Sequence, residues 1–96
     1  MLIKAGVDIS RLNRGIRKAL NRASIIINKY NQEIIITSTY EGNHMAGSLH
    51  YANDAFDFNH TGITLDDIAD ELRSFLTKDF DVVLERTHIH VEFDPK

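Results

Sequence analysis

SLHYANDAFD at residues 48–57 and ERTHIH at residues 85–90 are the two stretches that decide how this sequence is interpreted. Each stretch combines histidine with an acidic residue, and zinc binds both imidazole nitrogen and carboxylate oxygen. A hydrolytic zinc site uses three protein ligands and leaves the fourth position to water. The two stretches together therefore predict a catalytic zinc site built from separate parts of the chain.

Residues 88–93 are predicted to form a strand with one reactive face and one apolar face. Side chains alternate along a strand, so three polar residues point one way and the apolar residues point the other. The polar residues are His88, His90 and Glu92. A second strand, at residues 55–59, separates Asp57 from its neighbouring phenylalanines in the same way. If the apolar faces pack on helices, Asp57 and His90 share the opposite face of the sheet, and His50 can approach from its loop.

The rest of the sequence predicts two helices and two further strands. Apolar residues recur at helical spacing over residues 9–30 and again over residues 64–77. A β-branched run within residues 33–39 is typical of a central strand covered on both faces. Residues 80–84 should form another strand, and residues 40–47 should be a loop leading into the first stretch.

Length and composition indicate a single globular domain over residues 1–96. Such a length allows one modest core, and the formal charge of −3 favours binding to neither nucleic acid nor a membrane. The chain has no cysteine, so a metal must be bound by His, Asp or Glu. No signal peptide is evident, which leaves the localisation open and means that a protein working outside the cytoplasm would need another delivery route. We expect a monomeric α+β domain with an antiparallel sheet of about four strands, helices on one face and zinc on the other.

The two stretches resemble the motifs of the zinc D-alanyl-D-alanine carboxypeptidases and related peptidoglycan peptidases, which share their fold with the Hedgehog signalling domain. The pattern of that family is S-x-H-x-x-G-x-A-x-D, followed by H-x-H or E-x-x-H. Here the first motif departs only at the glycine, which is replaced by Asn53, a residue type that tolerates left-handed backbone. His44 lies six positions before His50, where Hedgehog-like members also have a histidine. The resemblance covers most of the chain.

This resemblance implies a role for each motif residue. His50, Asp57 and His90 would bind Zn²⁺, which makes its bound water more acidic. Glu85 would be the general base that takes a proton from that water. His88 would donate a hydrogen bond to the oxyanion as the tetrahedral intermediate forms.

The spacing of the second motif leaves the third ligand open. Glu85 precedes His88 by three residues and His90 by five. His88 would be the ligand if the motif is E-x-x-H, whereas the H-x-H pattern and the presence of His44 favour His90.

Several further residues are weaker candidates. His44 is assigned to the catalytic group, although a loop histidine can simply be solvated. Ser48 would orient the substrate or a ligand, unless it bonds its own backbone. Asp54 is a rival ligand four residues after His50, although a solvated turn aspartate is the simpler interpretation. Glu92 could support the site or be an exposed strand acid.

A basic stripe runs along the first helix and contains Arg11, Arg14, Lys18 and Arg22. The simplest interpretation is a solvated helix face, and the alternative is a surface that binds an acidic cell-wall polymer.

By resemblance, we expect hydrolysis of a peptidoglycan stem peptide, at a D-alanine linkage or an L-to-D junction. The activity would be that of a carboxypeptidase or of an endolysin-like peptidase, and the short chain suggests a phage-borne version. The alternative is a Hedgehog-like binding module in which zinc only stabilises the fold. Glu85 favours catalysis, because a structural zinc site needs no base. A third interpretation is a metal-free domain with a vestigial motif.

Overall fold

The computed structural model describes residues 1–40, 53–60 and 65–95, which form a mixed five-stranded sheet and two helices. In chain order the elements are β1 (Leu2–Ile3), α1 (Arg14–Lys29), β2 (Ile34–Ser38), β3 (Ala55–His60), α2 (Leu65–Phe75), β4 (Phe80–Leu84) and β5 (Ile89–Phe93). The strands lie in the order β1-β2-β3-β5-β4. The predicted α+β class is confirmed.

The expectation of a purely antiparallel sheet of about four strands is wrong at β1, which runs parallel to β2. Leu2 lies opposite Ile35, and the amide of Lys4 continues the pairing by donating to the carbonyl of Ile36 at 3.0 Å. Two residues are too few to show an alternating pattern, so this strand could not be predicted. Because β1 covers its edge, β2 is an interior strand.

The interior strand β2 is buried on one face only, which corrects the expectation that both faces are covered. Ile34 and Ile36 are fully buried, whereas Ile35 and Thr37 are half-buried. The run Ile34-Ile35-Ile36 places isoleucine on both faces of β2, which is why the sequence predicted that both faces are buried.

Helix α1 begins at Arg14 and not at residue 9, because the preceding segment follows a different path. Asn13 at the N-cap is extended, with φ −67° and ψ 161°. The side chain of Arg17 donates to the carbonyls of Leu12 and Ser10, at 3.2 and 2.8 Å. Leu12 is buried although it lies outside the helix. Its apolar side chain therefore continued the helical spacing in the sequence and made the predicted helix longer. The helix ends where expected, with Asn31 in the left-handed region at φ 58°.

Both helices pack on the same face of the sheet, and the hydrophobic core lies between these layers. Its central members are fully buried side chains from α1, α2 and the strands, namely Ile16, Ile27, Ile34, Phe56, Phe58, Leu72, Ile89 and Val91. The Arg73 guanidinium joins α2 to β4 by donating twice to the Val82 carbonyl, at 3.1 and 2.8 Å. Neither α1 nor α2 is long and apolar enough to cross a membrane. Asp57 and Asn59 of β3 and the polar side chains of β5 are left on the opposite face, whereas His60 is buried on the core side.

Candidate metal centre

Asp57 and His90 lie directly opposite each other on the neighbouring antiparallel strands β3 and β5. The residues beside them in sequence, such as Phe58 and Ile89, are fully buried towards the helices. Alternation therefore places Asp57 and His90 on the face away from the core. Strand β4 flanks the other side of β5, with Val83 opposite His90. The sheet thus brings together two predicted ligands that are 33 residues apart in sequence.

The imidazole of His90 lies between two carboxylates. Its Nδ1 is 2.8 Å from Oδ1 of Asp57, and its Nε2 is 2.7 Å from Oε1 of Glu92. Burial lowers the pKa of His90, but the hydrogen bonds and negative charges of Asp57 and Glu92 outweigh burial and raise the pKa above its ordinary value. The two carboxylates therefore stabilise positive charge on the imidazole ring.

Asp57 and His90 fit two ligands of a zinc ion in donor type and in spacing. Bonds of about 2.0–2.2 Å at tetrahedral angles place ligand atoms about 3.3 Å apart. The observed separation of 2.8 Å between Nδ1 and Oδ1 is about 0.5 Å shorter, which small side-chain rotations can change. The side chains are 17% and 14% exposed, so they are shielded from water without being sealed from it.

His88 and Glu85 lie at the end of the β4–β5 hairpin, where Glu85 is exposed and His88 approaches Asp57. The amide of Glu85 donates to the carbonyl of His88 at 2.9 Å, so the two residues face each other across the hairpin. Nε2 of His88 is 3.7 Å from Oδ2 of Asp57, and its Nδ1 is 3.2 Å from Oγ1 of Thr87. Both histidines thus approach Asp57, and the shorter contact favours His90 as its partner.

The remaining predicted site residues, His44, Ser48 and His50, lie outside the described residues. Their roles, including the third ligand position, stay predictions. At the edge of this segment Asn53 has φ 63°, which confirms that asparagine adopts left-handed backbone at the glycine position of the motif. Oδ1 of Asp54 accepts a hydrogen bond from Nδ2 of Asn13 at 2.7 Å, so this carboxylate joins the loop to the start of α1. Asp54 is thus bonded within the fold and is not simply a solvated turn aspartate, and its role as a rival ligand stays a prediction.

A group of three carboxylates continues from Glu92 along the same sheet. Ligand oxygens of Asp81, Glu92 and Asp94 all lie within 4.8 Å of one another, and such a group could hold a metal ion. Asp81 lies opposite Glu92 in the β4–β5 register, while Asp94 follows β5, where its amide donates to the carbonyl of Asp79 at 2.7 Å. Sequence reasoning missed this group, because only the register between β4 and β5 shows that Asp81 and Glu92 are neighbours.

The basic residues predicted as a stripe are exposed, but Arg11 precedes α1 and is not part of the helix. Two of the guanidinium groups stack on aromatic rings. Arg11 lies 4.7 Å from the ring centre of Tyr40, and Arg22 lies 4.9 Å from that of Phe75. These contacts fit the interpretation of a solvated surface.

No protein-family model matches this chain, and no curated protein shows significant similarity to it. The resemblance to zinc peptidoglycan peptidases therefore rests on the motif residues alone and stays a prediction.

Proposed function

We propose that this protein is a zinc-dependent peptidase that hydrolyses peptide bonds of peptidoglycan stem peptides. The observation that supports the proposal is the 2.8 Å contact between Asp57 and His90. Each residue was assigned as a ligand from its own motif, and the fold joins them on one polar face. The substrate class comes from the motif resemblance.

Asp57, His90 and His50 are the residues that would hold the metal. Zinc, when bound, polarises the scissile carbonyl and increases the acidity of the attacking water. The carboxylate of Glu85 takes a proton from that water and passes it to the nitrogen of the leaving amine. Its place at the end of the hairpin, opposite His88, suits this role.

His88 supplies a hydrogen-bond donor for the oxyanion. When the Thr87 hydroxyl donates to Nδ1 of His88, the neutral ring carries its proton on Nε2. This is the nitrogen 3.7 Å from the carboxylate of Asp57. The N–H group is therefore available at the edge of the site where negative charge develops.

The position of the core argues against a metal that serves only to stabilise the fold. The core of the described residues lies between the sheet and the two helices, whereas Asp57 and His90 lie on the other face. Small domains rely on a metal for stability chiefly when their own hydrophobic core is insufficient. A functional role therefore explains the site better than a structural one.

The test is an assay of zinc-loaded protein on purified stem-peptide fragments, with products identified by mass spectrometry. Glu85→Gln should retain zinc and reduce turnover by about 10²–10⁴-fold, because it removes only the proton acceptor. Asp70→Asn is the matched control, since Asp70 is an exposed carboxylate on α2, and it should have wild-type turnover. Zinc binding without cleavage of any fragment would favour the binding module, and failure to bind zinc would refute the metal centre.

A further inference from the structure

Glu92 contacts the one ring nitrogen of His90 that does not face Asp57. Its Oε1 lies 2.7 Å from Nε2 of His90, while Nδ1 lies 2.8 Å from Oδ1 of Asp57. A histidine that binds a metal through one nitrogen usually donates its other N–H to a carboxylate, a carbonyl or water. This second bond fixes both the ring orientation and the nitrogen that remains available to the metal.

The strand backbone holds Glu92 in this position. Glu92 and His90 are two residues apart in β5, so their side chains leave the same face of the sheet. β3 and β4 flank this strand on both sides, and Ala55 lies opposite Glu92 in the β3 register. Sites built on paired strands are positioned more accurately than sites on loops.

We infer that Glu92 is the positioning residue of the metal centre. It accepts the Nε2–H of His90, so that His90 presents Nδ1, beside Oδ1 of Asp57, as its ligand nitrogen. This inference rests on the proposed function, because it assumes that Asp57 and His90 share a zinc ion. It extends that function by assigning a role to a residue outside both motifs and by naming the ligand atom.

Three variants separate the hydrogen bond from the charge of Glu92. Glu92→Val keeps a strand-forming side chain but removes the acceptor. Glu92→Gln keeps an acceptor oxygen and removes the charge. Asp81→Asn removes the same charge from the position opposite Glu92 on β4, and it tests the alternative that the carboxylate group of Asp81, Glu92 and Asp94 holds the zinc.

The first measurement is the zinc dissociation constant of each protein, by competition with a chelator of known affinity. Glu92→Val should bind zinc about 10–100-fold more weakly than wild type. Glu92→Gln and Asp81→Asn should both stay within about threefold of wild type. Thermal unfolding without added metal checks that each variant folds.

The second measurement is a ¹⁵N–¹H long-range correlation spectrum of the histidine rings in the zinc-loaded proteins. Wild type and Glu92→Gln should show Nδ1 of His90 bound to zinc and Nε2 protonated, whereas Glu92→Val should lose this single pattern. A change in stability alone would leave the pattern intact.

The outcomes distinguish this inference from the proposed function. If wild type binds zinc and cleaves substrate but Glu92→Val binds zinc equally well, the inference fails and the proposed function stands. The inference also fails, with the proposed function intact, if Nε2 proves to be the ligand atom or if Asp81→Asn weakens binding as much as Glu92→Val. If wild type binds no zinc, both fail.

Discussion

Substitution of Asp57 by asparagine should remove most of the stabilisation that zinc gives to this protein. Asp57 is 14% exposed and lies closer to His90 than to His88, so its carboxylate is the central ligand of the proposed site. Asparagine has nearly the same shape but no negative charge. We therefore expect a zinc affinity at least about 100-fold lower, equivalent to about 2.8 kcal/mol.

Because zinc binds the folded state, the difference in zinc affinity can be measured as a difference in melting temperature. At a free zinc concentration 100 times the dissociation constant, binding to the folded state adds about 2.7 kcal/mol to the free energy of unfolding. Each kcal/mol raises the melting temperature of a domain this size by about 4–8 °C, so zinc should raise that of wild type by about 11–22 °C. At the same concentration, Asp57→Asn should gain only about 0.4 kcal/mol, or about 2–3 °C.

Differential scanning calorimetry with and without zinc measures, for each protein, the increment in melting temperature that zinc causes. Because the increment is taken within one protein, a change that Asp57→Asn causes in the metal-free state cancels. Asp70→Asn, at an exposed position on α2, should show the full wild-type increment. If Asp57→Asn also shows the full increment, Asp57 is not a zinc ligand.

Three further predictions concern the fold. Gly15→Ala should stabilise the protein by about 0.5–1 kcal/mol in urea unfolding, because a Cβ there would lie 3.6 Å from the Phe93 ring, in ordinary contact; a loss of stability would contradict that contact. Burial lowers the pKa of His60 in the folded protein, so the unfolded chain binds a proton there more readily. The free energy of unfolding therefore falls as the pH drops below the pKa of histidine in the unfolded chain, about 6.5. His60→Gln should therefore lose less stability than wild type between pH 7 and pH 5, and an equal loss would refute this contribution. Arg73→Met should cost about 1–2 kcal/mol, because both donors to the Val82 carbonyl are removed, and unchanged stability would show that these bonds contribute little.

The alternation of β3 and β5 could be predicted from the sequence because each strand is apolar at every second position. Phe56 and Phe58 fix the buried face of β3, and this alone places Asp57 on the other face. The same alternation places His90 on the face of β5 that points away from the core. The motifs add that the two strands are neighbours, which periodicity cannot show.

The features that could not be predicted depend on contacts between distant parts of the chain. β1 forms because β2 offers a strand edge, and a two-residue segment has no pattern of its own. Leu12 is buried outside the helix because Arg17 satisfies the carbonyls of the preceding turn. The contact of Glu92 with His90 requires a side-chain orientation, whereas alternation gives only the shared face.

The zinc content of His88→Ala and His90→Ala, measured on protein prepared without chelators, tests the central claim most directly. We predict one zinc ion per chain in wild type and in His88→Ala, and almost none in His90→Ala, because His90 has the direct contact with Asp57. Loss of metal from His88→Ala alone, or a wild-type protein without zinc, would contradict the proposed centre.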